Sequence, residues 1–297
     1  MLRPPRPIDW LMLGFLCLAW GLAFLLTAIG LQLFPPLTLV AIRLMVGAVV
    51  LYLIMRWQGH RLPREGGWWL RFAALALLGN LLPFTLISLA QQHIGSGQAG
   101  LLMALVPIST MVLAHYFVAH ERLTAQRVIG VSAGFAGVAI LIGGDALAGF
   151  GGASLPAQLA VIAATFSYAV NNVYTKRLPA LSGLVTATGS LIVGALLILP
   201  FSLVIEQPWQ FSISAQPLLA TLALGVASTG LATWVFFVVV SNCGPNFLSL
   251  INYVIPALAF AAGAVLLAEP VNSSQFMGLA VICTGIAISQ RRRFPGR

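Results

Sequence analysis

Ten apolar segments follow one another along this chain, and short polar connections separate them. Each segment is about 20 residues long, the length of an α-helix that crosses the roughly 30 Å hydrocarbon core of a bilayer. The segments occupy residues 9–30, 36–55, 69–91, 97–119, 127–144, 155–175, 182–205, 216–240, 244–267 and 274–290. This pattern predicts an all-α membrane protein with ten transmembrane helices.

The composition supports that prediction. Of the 297 residues, 60% are hydrophobic and 7% are charged, whereas charged residues make up about 25% of a soluble domain. The first apolar run is too long for the core of a signal peptide, so we interpret it as the first helix. The three cysteines lack the spacing of a zinc site or of a disulfide framework, and we expect neither a metal nor a cofactor.

The basic residues lie in alternate connections. All but one of the 15 Lys and Arg residues fall in or next to the N-terminus and every second connection after it. The charged residues of the intervening connections are all acidic: Asp145, Glu206 and Glu269. Because connections rich in Lys and Arg stay in the cytoplasm, we predict cytoplasmic termini. The net charge of +9 is expected to face anionic lipid headgroups rather than nucleic acid.

The sequence also repeats itself. The first copy of the pattern consists of Pro107, Glu121, Gly130 and Gly137, and the second consists of Pro256, Glu269, Gly278 and Gly285, in the same order and at nearly the same spacings. Each half has five spans, so the second half enters the membrane in the opposite sense. We predict two inverted five-helix repeats, residues 1–148 and 149–297, with a solute site near the midplane between them.

Smaller features belong to the same repeat. Leu78 and Gly79 in the third span correspond to Leu224 and Gly225 in the eighth. The glycines of the fifth and tenth spans create faces without side chains, on which two helices can approach closely. We therefore predict that these two helices form a scaffold or contacts between subunits and do not line the site.

The ordered motifs in both halves resemble the drug/metabolite transporter superfamily, in particular its ten-helix exporters with two EamA domains. The matching residues include Ala19, Trp20 and Gly21 in the first span, Arg43 in the second, and Gln98, Ala99 and Pro107 in the fourth. The resemblance implies that helices 1, 3, 4, 6, 8 and 9 surround a central cavity. It also implies outward transport of amino acids, other metabolites, drugs or nucleotide sugars across a bacterial inner membrane.

This chain departs from the family pattern in its second half. Ser167, Tyr168 and Ala169 stand where the first half has its Trp-Gly motif, and the seventh span contains no arginine. The resemblance therefore implies an asymmetric site.

Polar side chains within a bilayer usually face a partner or a wet cavity. The sixth span is the most polar, and helical spacing places Thr165, Tyr168 and Asn172 on one face. The predicted substrate-binding residues are Trp20, Asn80, Phe84, Gln98, Tyr168, Asn171, Asn172, Trp234, Asn252 and Tyr253. The alternative is that the amides join helices to one another. Pro107 and Pro256 lie mid-helix, where each removes a backbone hydrogen bond, and are predicted hinges.

Arg43 is the lone basic residue inside a span, and two interpretations are open. It binds a substrate carboxylate, or it packs against the protein and extends toward the membrane surface. Because the family plan puts helix 2 outside the cavity, the packing interpretation is preferred. His115 is likewise interpreted as a packed residue rather than a proton carrier.

No acidic residue lies in the middle of a span, which disfavours an antiporter for bulky cations, and one arginine is too few for phosphorylated solutes. The sequence thus predicts a secondary transporter that exports small neutral or zwitterionic metabolites, with hydrophobic or aromatic amino acids preferred. The alternative is a broad-specificity drug or toxic-metabolite efflux pump. An enzyme would need a convergent catalytic set, and none is found. The predicted partners are the solute and the lipid bilayer, and the oligomeric state is left open, with a monomer allowed.

Overall fold

A computed structural model describes residues 3–118, 124–148, 154–212 and 214–290. It contains ten membrane helices in the predicted order. They are α1 (Pro7–Gly30), α2 (Pro36–Trp57), α3 (Gly66–Ala90), α4 (Ser96–Phe117), α5 (Ala125–Ala148), α6 (Ser154–Lys176), α7 (Gly183–Glu206), α8 (Ala215–Cys243), α9 (Pro245–Leu248 and Ile251–Leu266) and α10 (Ser273–Gln290). The predicted all-helical fold class is confirmed. Glu121, one member of the repeated pattern, lies outside the described residues.

Several helices depart from regular α geometry. Turns interrupt α1 at Leu22, α4 between Leu102 and Leu105, and α9 between Leu248 and Ile251. In α4 and α9 the interruption comes a few residues before the proline, and the amides there bond three residues back, as Val106 does to the carbonyl of Met103 at 3.0 Å. The two prolines therefore mark related irregularities in the two halves.

Two π-helical turns lie at matching places in the halves. One spans Leu77–Leu81 in α3 and the other Leu224–Leu231 in α8. They contain the two Leu-Gly pairs that the sequence comparison aligned. The internal repeat is thus visible in the backbone, and π turns of this kind are frequent at functional sites.

The glycines of α5 and α10 bring these two helices together. A Cβ atom added to Gly285 would lie 2.6 Å from the carbonyl oxygen of Gly130, and one added to Gly137 would lie 2.7 Å from Ile282. Only glycine allows backbones to approach so closely. The predicted scaffold pair is confirmed by this packing.

The outer surface of the bundle is apolar. Leu53, Leu196, Val204 and Leu11 are each more than 60% exposed, and six of the described helices are long and apolar enough to cross a membrane by length and composition. Exposed aliphatic side chains in this number would be unfavourable in water and are favourable in contact with lipid chains. The protein is a multi-pass inner-membrane protein.

Candidate functional site

A cavity of about 750 Å³ lies at the centre of the described bundle. Its walls come from α1, α3, α4, α6, α8 and α9, as the family resemblance implied, and also from α2 and α7. The described parts of α5 and α10 do not reach it. The volume is within the range of roughly 300–1,000 Å³ that small-molecule sites occupy.

Most of the residues predicted to bind substrate are brought together here. Those that line the cavity are Trp20, Asn80, Phe84, Tyr168, Asn171, Asn172 and Asn252, together with both prolines, Pro107 and Pro256. Gln98, Trp234 and Tyr253 do not line it. Gln98 lies in the first turn of α4 beyond one end of the cavity, whereas Trp234 and Tyr253 pack against the hydrophobic core behind its walls.

Hydrogen bonds across helices hold the polar residues of the wall in place. The indole Nε1 of Trp20 donates to the carbonyl oxygen of Ser228 at 2.9 Å, and the Ser228 hydroxyl donates to the carbonyl of Ala19 at 2.6 Å. This reciprocal pair joins α1 of the first repeat to α8 of the second. Asn80 donates to the hydroxyl of Ser190 at 2.9 Å and joins α3 to α7 in the same manner.

The π turn of α3 shapes the wall beside α6. The hydroxyl of Ser167 donates to the carbonyl oxygen of Leu78 at 2.8 Å. A Cβ atom added to Gly79 would lie 2.9 Å from the amide of Asn171, so the missing side chain makes room for that amide. The Oδ1 atom of Asn171 is buried and has no hydrogen-bond partner in the described structure. An unsatisfied polar atom beside a cavity is a candidate contact for a ligand.

Arg43 is a cavity residue that the sequence interpretation placed outside the site. Its side chain is 9% exposed, so it does not extend to the membrane surface. The guanidinium carbon lies 3.7 Å from the centre of the Phe84 ring, and Nε donates to the hydroxyl of Thr229 at 2.9 Å. The sequence signal that could have revealed this was the cost of a charge inside a bilayer, which makes an intramembrane arginine a functional residue by default.

The two ends of the cavity differ. At one end Asn172, Thr175 and Lys176 are exposed, and Asn172 donates to the Thr110 hydroxyl at 3.2 Å. At the opposite end the lining residues Phe24, Thr27 and Gly100 are buried. The cavity therefore opens toward the end of the bundle that carries Lys176, which the charge pattern predicts to be cytoplasmic, and it is closed toward the other.

Close backbone contacts close the opposite end. A Cβ atom added to Gly100 in α4 would lie 2.3 Å from the Cβ of Ala259 in α9, and one added to Gly21 in α1 would lie 2.8 Å from the Cβ of Leu258. Both contacts join the first repeat to the second. No solute can pass between helices that touch in this way.

Two carboxylates reinforce contacts at this closed end. Glu269, in the connection from α9 to α10, accepts hydrogen bonds from the amides of Ser96 and Gly97 at 2.6 and 2.9 Å. Glu206, at the end of α7, accepts from the amides of Leu37 and Thr38 at 2.9 and 2.6 Å. Each carboxylate satisfies free N–H groups at the first turn of a helix in the other repeat and complements its dipole.

The described residues contain no group of three His, Cys, Asp or Glu side chains that could hold a metal ion. The walls offer amides, hydroxyls, aromatic rings, the guanidinium of Arg43 and, at the open end, the ammonium group of Lys176. Groups of these kinds can bind and orient a small amphipathic solute.

Comparison with known proteins agrees with this architecture. The model of the EamA-like transporter family matches the chain twice, at residues 8–143 and 155–290. The chain belongs to the EamA-like transporter family. The two matches correspond to the two halves in which the repeated pattern was found, and membership identifies the protein as a transporter of the drug/metabolite superfamily.

Relatives across nearly the full length carry transporter names. An uncharacterized transporter of Bacillus subtilis, YoaV, is 26% identical over 93% of this chain and 94% of its own length. The uncharacterized inner membrane transporter YedA of Escherichia coli is 22% identical over 92% of this chain and 87% of its own. A probable amino-acid metabolite efflux pump of Salmonella typhimurium is 26% identical over 93% and 94% of the two chains.

A solved structure has the same fold. A crystal structure of another protein superimposes with a TM-score of 0.71, covers 96% of this chain and 97% of its own, and is 23% identical in sequence. This likeness shows that the two chains share a fold.

Proposed function

We propose that this protein exports small neutral or zwitterionic metabolites, with hydrophobic and aromatic amino acids as the first candidates. The observation that carries this proposal is the chemistry of the central cavity, whose described walls contain amides, hydroxyls and aromatic rings but no carboxylate. A bulky cation would find no counter-charge there, and a phosphorylated solute would find too few cations.

The aromatic residues of the walls favour an apolar or aromatic solute body. Trp20 and Phe236 lie with ring centres 5.8 Å apart, and Phe84 and Tyr168 lie 6.5 Å apart at an angle of 65°. The first pair is tilted at 50° and the second is edge-to-face, and aromatic pairs of both kinds can take a further ring beside them. The cavity volume of about 750 Å³ would hold an aromatic amino acid and several waters.

Transport would proceed by alternating access. Residues 1–148 and 149–297 would act as two units that rock about the central cavity, so that the open and the closed end exchange. Pro107 and Pro256 would serve as hinges, because each lies on the cavity wall just after a helix interruption. Facilitated export down a concentration gradient needs no titrating group, and the described lining of the cavity contains no histidine or carboxylate.

A relative adds support. The Salmonella typhimurium protein that matches nearly the whole chain is named a probable amino-acid metabolite efflux pump. That name describes the Salmonella typhimurium protein, which is 26% identical to this chain. The substrate of this chain is therefore tested directly.

The experiment is uptake by the purified full chain in liposomes. Radiolabelled neutral amino acids are screened with unlabelled competitors, and the variants Trp20→Ala and Asn172→Ala are compared with Trp57→Ala, a matched control at an exposed tryptophan outside the cavity. We expect saturable uptake of an aromatic or aliphatic group of amino acids that both cavity variants lose and the control keeps. Absence of uptake for every amino acid, together with protection of cells from hydrophobic toxins, would instead establish the efflux-pump alternative.

A further inference from the structure

Arg43 is a buried cation without a charged partner. Among the residues that the structure describes, the ion pair found joins Arg3 to Asp9, far from the cavity. Arg43 makes a single hydrogen bond there, from Nε to Thr229. A guanidinium carries five N–H donors, so the donors on its two terminal nitrogens remain unused by the described protein.

The packing of α2 explains why Arg43 reaches the cavity. A Cβ atom added to Gly47 would lie 2.7 Å from the side chain of Thr229, and one added to Gly225 would lie 2.5 Å from Val46. Thr229 and Val46 therefore pack directly against a glycine of the facing helix, and α2 and α8 lie close together. An arginine one turn from this contact needs only part of its length to pass α8 and enter the cavity.

Within the described part of the chain, no carboxylate pairs with Arg43. The acidic residue nearest to the start of α2 is Glu206, and both of its oxygens accept backbone amides of that helix, from Leu37 and Thr38. Arg43 lies about 8 Å further along α2, at about 1.5 Å per residue. A buried charge without a partner is costly in a membrane protein and is retained where it serves a ligand.

The contacts of Arg43 orient its guanidinium so that the terminal nitrogens can bind one kind of ligand group. Phe84 supports the flat face of the guanidinium at 3.7 Å, and Thr229 holds Nε. The edge that carries the terminal nitrogens is then fixed in direction. A planar fork of two parallel N–H donors matches the two oxygens of a carboxylate.

We propose that Arg43 binds the carboxylate of the transported solute and makes this group a requirement for binding. The proposal rests on the proposed function of the cavity and names the group that the site selects. The solute is an amphipathic monocarboxylate, whose apolar body faces the aromatic walls. An amino acid satisfies this description, and so does the same molecule without its ammonium group.

The test compares binding with transport, using three probes that share one aromatic body. Phenylalanine has a carboxylate and an ammonium group, 3-phenylpropionate has the carboxylate alone, and phenylalaninamide lacks the carboxylate. Binding to the purified full chain is followed by intrinsic tryptophan fluorescence, and transport is followed in liposomes. The variants are Arg43→Gln and Arg43→Lys, with Arg71→Gln as a matched control, because Arg71 also lies against a ring, that of Trp68, but outside the cavity. Thermal unfolding verifies that each variant is folded.

We expect the native protein and Arg71→Gln to bind both carboxylates at least tenfold more tightly than the amide. Arg43→Gln should lose that discrimination, and Arg43→Lys should keep part of it, because lysine retains the charge but not the fork. The proposal is overturned if folded Arg43→Gln discriminates as the native protein does, if the native protein binds the amide as tightly as the acids, or if it binds no carboxylate at all. Carboxylate binding that depends on Arg43 without transport of amino acids would contradict the proposed function while leaving this proposal intact.

Discussion

The two ends of the central cavity are built differently although an inverted repeat relates the two halves of the chain. The closed end is made of backbone contacts at glycine and of helix caps by carboxylates, as at Gly100 and Glu269. The open end carries exposed polar side chains such as Asn172 and Lys176. Alternating access requires the ends to exchange roles, so the contacts that close the cavity around α4, at Gly100 and Glu269, are those that must break in each cycle.

The largest effect is expected at Gly100. In Gly100→Val the new Cβ atom would have to occupy a position 2.3 Å from the Cβ of Ala259, so α4 and α9 can close only with strain. Overpacking costs about 1–3 kcal/mol, and a middle value of about 2 kcal/mol corresponds to roughly thirtyfold in the population of the closed state. We expect transport in liposomes to fall by about that factor.

The matched control for this prediction is Gly14→Val. Gly14 is exposed on α1, and a Cβ atom added there meets nothing within 4 Å. Transport within twofold of the native rate is expected. Equal losses in both variants would mean that valine in a helix, and not the contact at the closed end, is responsible.

Removal of the cap on α4 should have the next largest effect. Glu269→Ala leaves the amides of Ser96 and Gly97 without their acceptor, and a lost cap of this kind costs about 1–2 kcal/mol. The closed end should open about tenfold more often. The measurement is the rate at which an impermeant maleimide, added on the side away from Lys176, modifies a cysteine introduced at Thr27. Glu65→Ala, an exposed acid outside the cavity, should leave this rate unchanged.

The cap on α2 tests whether the position of a cap matters. Glu206 caps α2 as Glu269 caps α4, but it does so at the contact between α2 and α7. α2 and α7 pack along their whole length through Leu44, Leu51 and Leu191, among others, so this contact is expected to persist through the cycle. Glu206→Ala should therefore lower the free energy of unfolding by about 1 kcal/mol. It should leave the labelling rate at Thr27 within twofold, and a tenfold rise would show that α2 and α7 separate as well.

The smallest effect is expected at the open end. The Thr175 hydroxyl donates to the carbonyl of Asn171 in its own helix at 2.7 Å, and a bond of this type adds little where water can replace it. Thr175→Val should change transport by less than twofold. A larger loss would place the Thr175 hydroxyl among the groups that contact the solute.

Much of this architecture was accessible from the sequence. The ends of the ten helices lie within four residues of the predicted spans, since bilayer thickness and loop charge constrain them strongly. The repeat was readable because Pro107, Pro256 and the glycine pairs occupy positions where backbone geometry demands those residues. Polar residues on the face of α6 also reached the cavity, because that helix is continuous and regular spacing applies to it.

The rest depended on packing that the sequence does not report. Tyr253 follows the interruption of α9, after which regular helical spacing no longer predicts which face a residue occupies. Gln98 lies in the first turn of α4 and does not line the cavity. Arg43 enters the cavity only because Gly47 and Gly225 let α2 touch α8. Contacts between distant helices of this kind cannot be read from the periodicity of either helix alone.

Access to one deep cavity position from each side of the membrane tests the central claim most directly. Cys17, Cys243 and Cys283 are replaced by serine, a single cysteine is placed at Thr27, and impermeant thiol reagents are added to either side of oriented vesicles. We predict rapid modification from the side of Lys176 at rest, and modification from the opposite side only when a transported solute is present. Modification from both sides at equal rates, with or without solute, would contradict alternating access and indicate a channel.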